Sequence, residues 1–195
     1  NTSGTNVYSN AITISFSSGG TMIGGTANIQ NAQGNNTLTS NMSIASSGGM
    51  GATFQSDAGL LTIQGNLTSA NGVRPYEFAG AGNGVFSGQA NDGTGVSLIK
   101  SGTGTWSVTG TNSNFTGGVS LLQGVLNVAS VADTGTNSSI GAGGAINLTG
   151  QGTSGTFQYT GSTAVAARHS VVFPLPDKPR IPTISPARAG RRRCS

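Results

Sequence analysis

Chemistry in this chain would have to come from very few side chains. Before residue 168 the charged residues are Asp57, Arg74, Glu77, Asp92, Lys100 and Asp133, and there is neither a His nor a Cys. Glycoside cleavage needs two carboxylates held a few ångströms apart. Asp92 and Asp133 both read as turn positions, and their separation puts them on different repeats. A polysaccharide lyase would need metal-binding acids with a base beside them, and the bases here are Lys100 and Arg74 alone. Without His or Cys, neither a nucleophilic triad nor a zinc site can be built. Gly19-Gly20, Gly48-Gly49 and Gly143-Gly144 lack the regularly spaced Asp of calcium-binding nonapeptides. Gly80-Ala81-Gly82-Asn83-Gly84 lacks the Gly-Lys-Ser/Thr of a phosphate loop. The expectation is a non-enzyme with no cofactor and no metal. One candidate contact remains: Arg74-Pro75-Tyr76-Glu77 combines an aromatic with both charge signs and reads as an exposed corner that could meet a ligand.

Those residues sit in an unusual texture. The chain of 195 residues holds 33 Gly and only 7% charged residues. Disordered chains are usually rich in charge and poor in aromatic and β-branched residues, yet here apolar residues recur at short intervals between Gly and Asn. Ile12, Ile14 and Phe16 alternate on one strand face. Phe54, Leu61, Ile63, Leu67, Tyr76, Phe78 and Val85 form further short clusters. This pattern predicts many brief strands joined by tight turns. The Asn-x-Ser/Thr triplets at Asn35, Asn41, Asn66, Asn114, Asn137 and Asn147 are what such a composition produces by chance.

Residues 97–128 supply a period. Trp106 and Val108 lie twenty residues before Leu126 and Val128, which lie twenty before Ile146 and Leu148. Leu98 and Val119 are 21 apart. A strand period of about 20–25 residues marks a solenoid, in which each coil stacks on the one before and inward residues form a continuous core. A sandwich or jelly roll, the competing all-β architecture, gives no reason for the repeated pair. The predicted fold is therefore an all-β, parallel β-helix over residues 1–167.

Residues 168–195 differ. They hold five of the six prolines, and they carry a net charge of +6 against −2 for the preceding residues. Proline at this density cannot continue a hydrogen-bonded ladder. The segment is expected to be disordered or foreign to the domain, and the basic pI belongs to it rather than to a nucleic-acid-binding body. Cys194 leaves no partner for an internal disulfide. With Asn first and no apolar leader, the chain reads as an internal piece of a longer protein.

Within residues 97–128, Ile99-Lys100, Gly102, Gly104, Trp106, Val108, Gly110, Asn112, Phe115 and Gly117-Gly118 follow a spaced motif. This stretch resembles the autotransporter-associated β-strand repeat, also called the passenger-associated transport repeat. Trp106 stands where Leu is commoner, and one extra residue separates Asn112 from Phe115. Val119 to Val128, turning at Gly124, looks like the closing strand pair. The resemblance is sharp over about 32 residues, weaker over 53–96 and 129–161, and stops after Ala167. It implies a right-handed parallel β-helix in the surface-exposed passenger of a bacterial secreted or outer-membrane protein, the repeat aiding secretion and folding. Implied partners are host-surface or extracellular glycans, or a second copy through the open solenoid ends; the membrane would be met only through a barrel beyond this chain. Lys100 reads as an exposed motif position with no acid or base near it in sequence. A carbohydrate-binding or polysaccharide-degrading β-helix is the alternative.

Overall fold

The computed structural model describes residues 5–8, 12–14, 27–44, 51–69, 74–91, 95–148, 155–162 and 171–172. Among them every regular element is a strand, and the strands, numbered along the chain, make a parallel β-solenoid of three sheets. The first sheet stacks β1 (Thr5–Tyr8), β4 (Asn35–Leu38), β7 (Leu60–Ile63), β10 (Asn83–Phe86), β12 (Thr105–Val108), β14 (Gly124–Val128) and β16 (Gly155–Tyr159). The second stacks β3 (Ile29–Asn31), β6 (Ala52–Ser56), β9 (Tyr76–Ala79), β11 (Leu98–Lys100), β13 (Val119–Leu121), β15 (Ile146–Leu148) and β17 (Val171–Val172). A shorter third sheet holds β2 (Ile12–Ile14), β5 (Met42–Ile44) and β8 (Leu67–Ser69), extended by a parallel bridge from Leu67 to Ala90. At about 4.8 Å per strand, seven strands rise through roughly 29 Å.

The alternation seen in the sequence becomes the core. Along β7 and β12 every second side chain is buried, as strand geometry requires. Leu61, Ile63, Phe86, Trp106, Val108, Leu126 and Val128 from the first sheet meet Phe54, Tyr76, Phe78, Leu98, Val119 and Leu121 from the second. No single coil has enough apolar surface to stand alone, so stacking is what makes each coil stable.

The coil step is real but not constant. It is 25 residues from β4 to β7, 23 from β7 to β10, 22 from β10 to β12 and 20 from β12 to β14. Trp106 pairs with Leu126 and Val108 with Val128, as the twenty-residue spacing predicts. Leu98 pairs with Val119. The next step corrects the reading: Leu126 and Val128 pair with Phe157 and Tyr159, 31 residues on. Ile146 and Leu148 belong to the other sheet, under Val119 and Leu121. Most of the difference is an irregular, packed excursion over residues 129–145, seventeen residues where the preceding coil uses ten between β12 and β13. Ser113 and Ser138 bridge antiparallel there, and Phe115 and the excursion's own Ile140 are buried. Phe54 pairs with Phe78, and Leu61 with Gly84. Phe16, Asp92 and residues 173–195 lie outside the described residues.

Candidate functional site

The motif of residues 99–118 forms most of one coil, and each chemically distinctive member has a definite place. Lys100 is the third residue of β11, in register between Phe78 and Leu121. Those neighbours face the core, so Lys100 occupies an inward position and is fully buried. This overturns its reading as an exposed position. The Nζ donates to the carbonyl oxygens of Ser101 (2.5 Å), Gly102 (2.7 Å) and, one coil on, Gln123 (3.1 Å). Three N–H groups thus meet three carbonyls. Gly102 and Gly124 make the two corners with φ of +69° and +75°, a conformation that costs glycine little.

Arg74, Tyr76 and Glu77 also require correction. Tyr76 and Glu77 are the first residues of β9, and all three are buried, at 4%, 1% and 2% exposure. The corner is not an exposed recognition spot. Tyr76 belongs to the core cluster. Glu77 accepts from Thr53 Oγ1 at 3.0 Å and from Ser101 Oγ at 2.6 Å, so one carboxylate joins three successive coils. Sequence separation hid this contact: 24 residues on either side reaches the adjoining coil.

Burial and Glu77 act on Lys100 in opposite senses. Desolvation disfavours the ammonium, the nearby carboxylate favours it, and desolvation wins, lowering the Lys100 pKa from 10.5 to about 8. Between these two pH values the unfolded chain holds a proton that the folded chain has lost. Stability should therefore rise with pH across that window, by at most about 3 kcal/mol. Urea unfolding at pH 7 and pH 10, compared with Lys100→Met, isolates the effect. The rise should be smaller in Lys100→Met, and an equal rise in both proteins would place its origin elsewhere.

Among the described residues the two remaining acids, Asp57 and Asp133, lie apart, one in a turn and one on the excursion. Asp57 lies in the turn after β6, where it accepts from Gln55 Nε2 at 2.6 Å and from Gln30 Nε2. Asp133 is exposed at the tip of the 129–145 excursion, in a turn closed by Thr136 N–H donating to its carbonyl. Among the described residues no group of three His, Cys, Asp or Glu is placed to hold a metal ion. None of the described residues forms a helix long and apolar enough to cross a membrane.

Trp106 is fully buried and donates its Nε1–H to the Ala79 carbonyl at 3.1 Å. Its ring lies parallel to Phe78, with centroids 4.4 Å apart and planes 5° apart. Phe78 contacts Phe54 and Phe86 in turn, at 6.0 and 5.5 Å. Gly84, paired with Trp106 on the neighbouring strand, makes the room: a Cβ there would fall 2.3 Å from the indole.

Asparagines at the corners tie neighbouring coils together, a role beyond turning the chain. Asn41 Oδ1 accepts from Asn66 N–H at 2.8 Å, and Asn66 Oδ1 accepts from Gln89 N–H at 2.9 Å. Buried Asn31 donates to the Gly34 and Ala58 carbonyls and to Ser56 Oγ. Their signal was recurrence at the local coil step: Asn41 to Asn66 spans the same 25 residues as Met42 to Leu67.

No family model, no curated protein and no solved structure matches this chain.

Proposed function

We propose that this chain is a structural and adhesive segment of the surface-exposed passenger of a bacterial secreted or autotransporter-type protein, its repeat aiding export and folding. The observation that carries the reading is where its reactive groups are engaged. Lys100, Glu77 and Trp106 each bind atoms of an adjoining coil, so the side chains best suited to chemistry act as ties between coils. A ladder of this kind can form coil by coil from an unfolded chain, each new coil finding its hydrogen-bonding edge on the last.

The outward positions of the first sheet support the adhesive part. In register they run Thr37, Thr62, Val85, Ser107 and Asn127, beside Asn35, Leu60, Asn83, Thr105 and Val125. This face carries hydroxyl, amide and methyl groups and no charge, a chemistry matched to neutral glycans rather than to anionic polymers. Secretion or display at the cell exterior belongs to the same reading.

The test places the chain between a signal peptide and an export barrel and measures surface delivery, followed by retention on neutral glycans. Delivery should fall several-fold in Trp106→Ala, and the native chain should be retained without releasing reducing or unsaturated ends from pectin or alginate. Release of such ends would make it an enzyme and overturn the reading, as would delivery indifferent to the motif together with no glycan retention.

A further inference from the structure

The three carbonyls around Lys100 count its protons. An ammonium has three N–H groups, and Ser101, Gly102 and Gln123 take all three. A neutral amine has two N–H groups and a lone pair, which repels a carbonyl oxygen. Two of the acceptors belong to the corner that follows β11; the third, the longest at 3.1 Å, belongs to the corner that follows β13. The bond that must be given up is therefore the one between coils. We propose that Lys100 is a proton-operated latch: as an ammonium it ties the corner after β11 to the corner after β13, and as an amine it frees the Gln123 carbonyl.

The surroundings leave this proton to a small set of groups. The coil packed against β11 on one side carries Glu77 on β9 and Arg74 just before it. On the other side β13 reads Val-Ser-Leu, and β12 and β14 read Thr-Trp-Ser-Val and Gly-Val-Leu-Asn-Val, with no titratable side chain. Residues 101–104 and 122–123 add none. Burial and Glu77 set the balance, in the direction already given. The corner also has little else to replace the lost bond. A Cβ at Gly124 would meet the Gly102 and Gly104 oxygens at 2.4 and 2.6 Å and Nζ at 2.9 Å, so backbone and ammonium fill the space that a side chain would use. What persists are the backbone bonds from Leu122 N–H to the Lys100 carbonyl and from Val125 N–H to the Gly104 carbonyl. They should stay formed but open more often.

The protein has two lysines, Lys100 and Lys178, so lysine labelled with carbon-13 at Cε gives two signals, which Lys100→Met assigns. The Lys100 signal should titrate with a midpoint near 8. Global stability rises over this range because unfolding returns Nζ to water. A local opening of the corner that leaves Nζ buried breaks only the Gln123 bond, so the hydrogen-exchange protection of the Leu122 and Val125 amides should fall roughly tenfold, the weight of one hydrogen bond, relative to the Trp106 amide. In Lys100→Met the protection of these amides should not change with pH. A midpoint in the ordinary lysine range overturns the latch. So does a midpoint near 8 with unchanged corner protection, or the same loss of protection in Lys100→Met. The titration of the native protein needs no variant, so a poorly folding substitution leaves the test intact.

Discussion

Replacing Trp106 by Ala should lower the unfolding free energy by roughly 3 to 5 kcal/mol. The indole is fully buried, stacks on Phe78 and donates to the Ala79 carbonyl, so truncation empties a large cavity and also strips a buried acceptor of its donor. Urea denaturation of both proteins measures it; a negligible change in midpoint would mean that the ring is not part of the core. The sharper form adds Gly84→Ala. Alone, that methyl group would lie 2.3 Å from the indole and cost about 1 to 3 kcal/mol, outweighing the few tenths gained by stiffening the unfolded chain. With Trp106 already Ala the clash is gone and the methyl group refills part of the cavity. The two costs should therefore not add, and the double variant should be more stable than Trp106→Ala alone. Strict additivity would show that Gly84 does not hold open the space for the ring.

Trp106 and Gly84 also mark how far the fold could be read in advance. The alternation of apolar residues and the spacing of Trp106 and Val108 to Leu126 and Val128 were enough for a parallel solenoid with the right partners across one step. That worked because a strand face and a coil step are periodic, and periodicity survives in a linear text. Gly84 was not legible, since a glycine opposite a large ring looks like any other turn glycine. The step from Leu126 failed for a related reason. Nothing in the apolar pattern distinguishes a strand of the first sheet from one of the second, and Ile146 and Leu148 happen to fall at the interval that had just succeeded. The 129–145 excursion, whose buried Ser138 and Ser139 have no signature in the apolar pattern, takes up seventeen residues where the preceding coil uses ten, and the rest of the longer step lies between β15 and β16.

The chemically notable residues were found by type and misplaced in space. Arg74, Tyr76, Glu77 and Lys100 stand out because charge and aromatic bulk are scarce, and scarcity suggested exposure and a ligand. In this solenoid the neighbour of a residue on the adjoining coil is mostly 20 to 25 positions away, so the partners that make burial tolerable are not adjacent in sequence. Glu77 looked like one charge of a polar corner, and its carboxylate also takes hydrogen bonds from Thr53 and Ser101 on the two adjoining coils. Lys100 looked unpaired because carbonyl oxygens, its actual partners, have no signature in a sequence. Burial of a charge requires this kind of complete hydrogen bonding, and the glycine-rich corner supplies it by letting backbone oxygens converge.

That convergence makes the corner glycines more demanding than the core. Substituting Gly104 by Ala should cost at least about 3 kcal/mol, comparable to losing the tryptophan. A Cβ at Gly104 would sit 1.9 Å from the carbonyl oxygen of Gly82 and 2.9 Å from its carbonyl carbon. The obstacle is the backbone of the coil beneath, which is held by the Gly104 N–H donating to the Gly80 carbonyl at 3.0 Å and by Val125 N–H donating to the Gly104 carbonyl. A core cavity can shrink as side chains shift, but here relief requires prising two coils apart, and Lys100 bonds to the same turn. Gly135 is the control, with a φ of +93° and no heavy atom beyond its own chain neighbours within 4 Å of where its Cβ would lie. Gly135→Ala carries left-handed backbone strain without a collision, so its cost should stay near about 1 kcal/mol. Gly104→Ala carries the collision without that strain. Thermal unfolding of the two variants separates the terms. Equal losses would mean that conformation weighs as much as contact in selecting glycine here; a much larger loss at Gly104 would mean that the stacking distance between coils selects it.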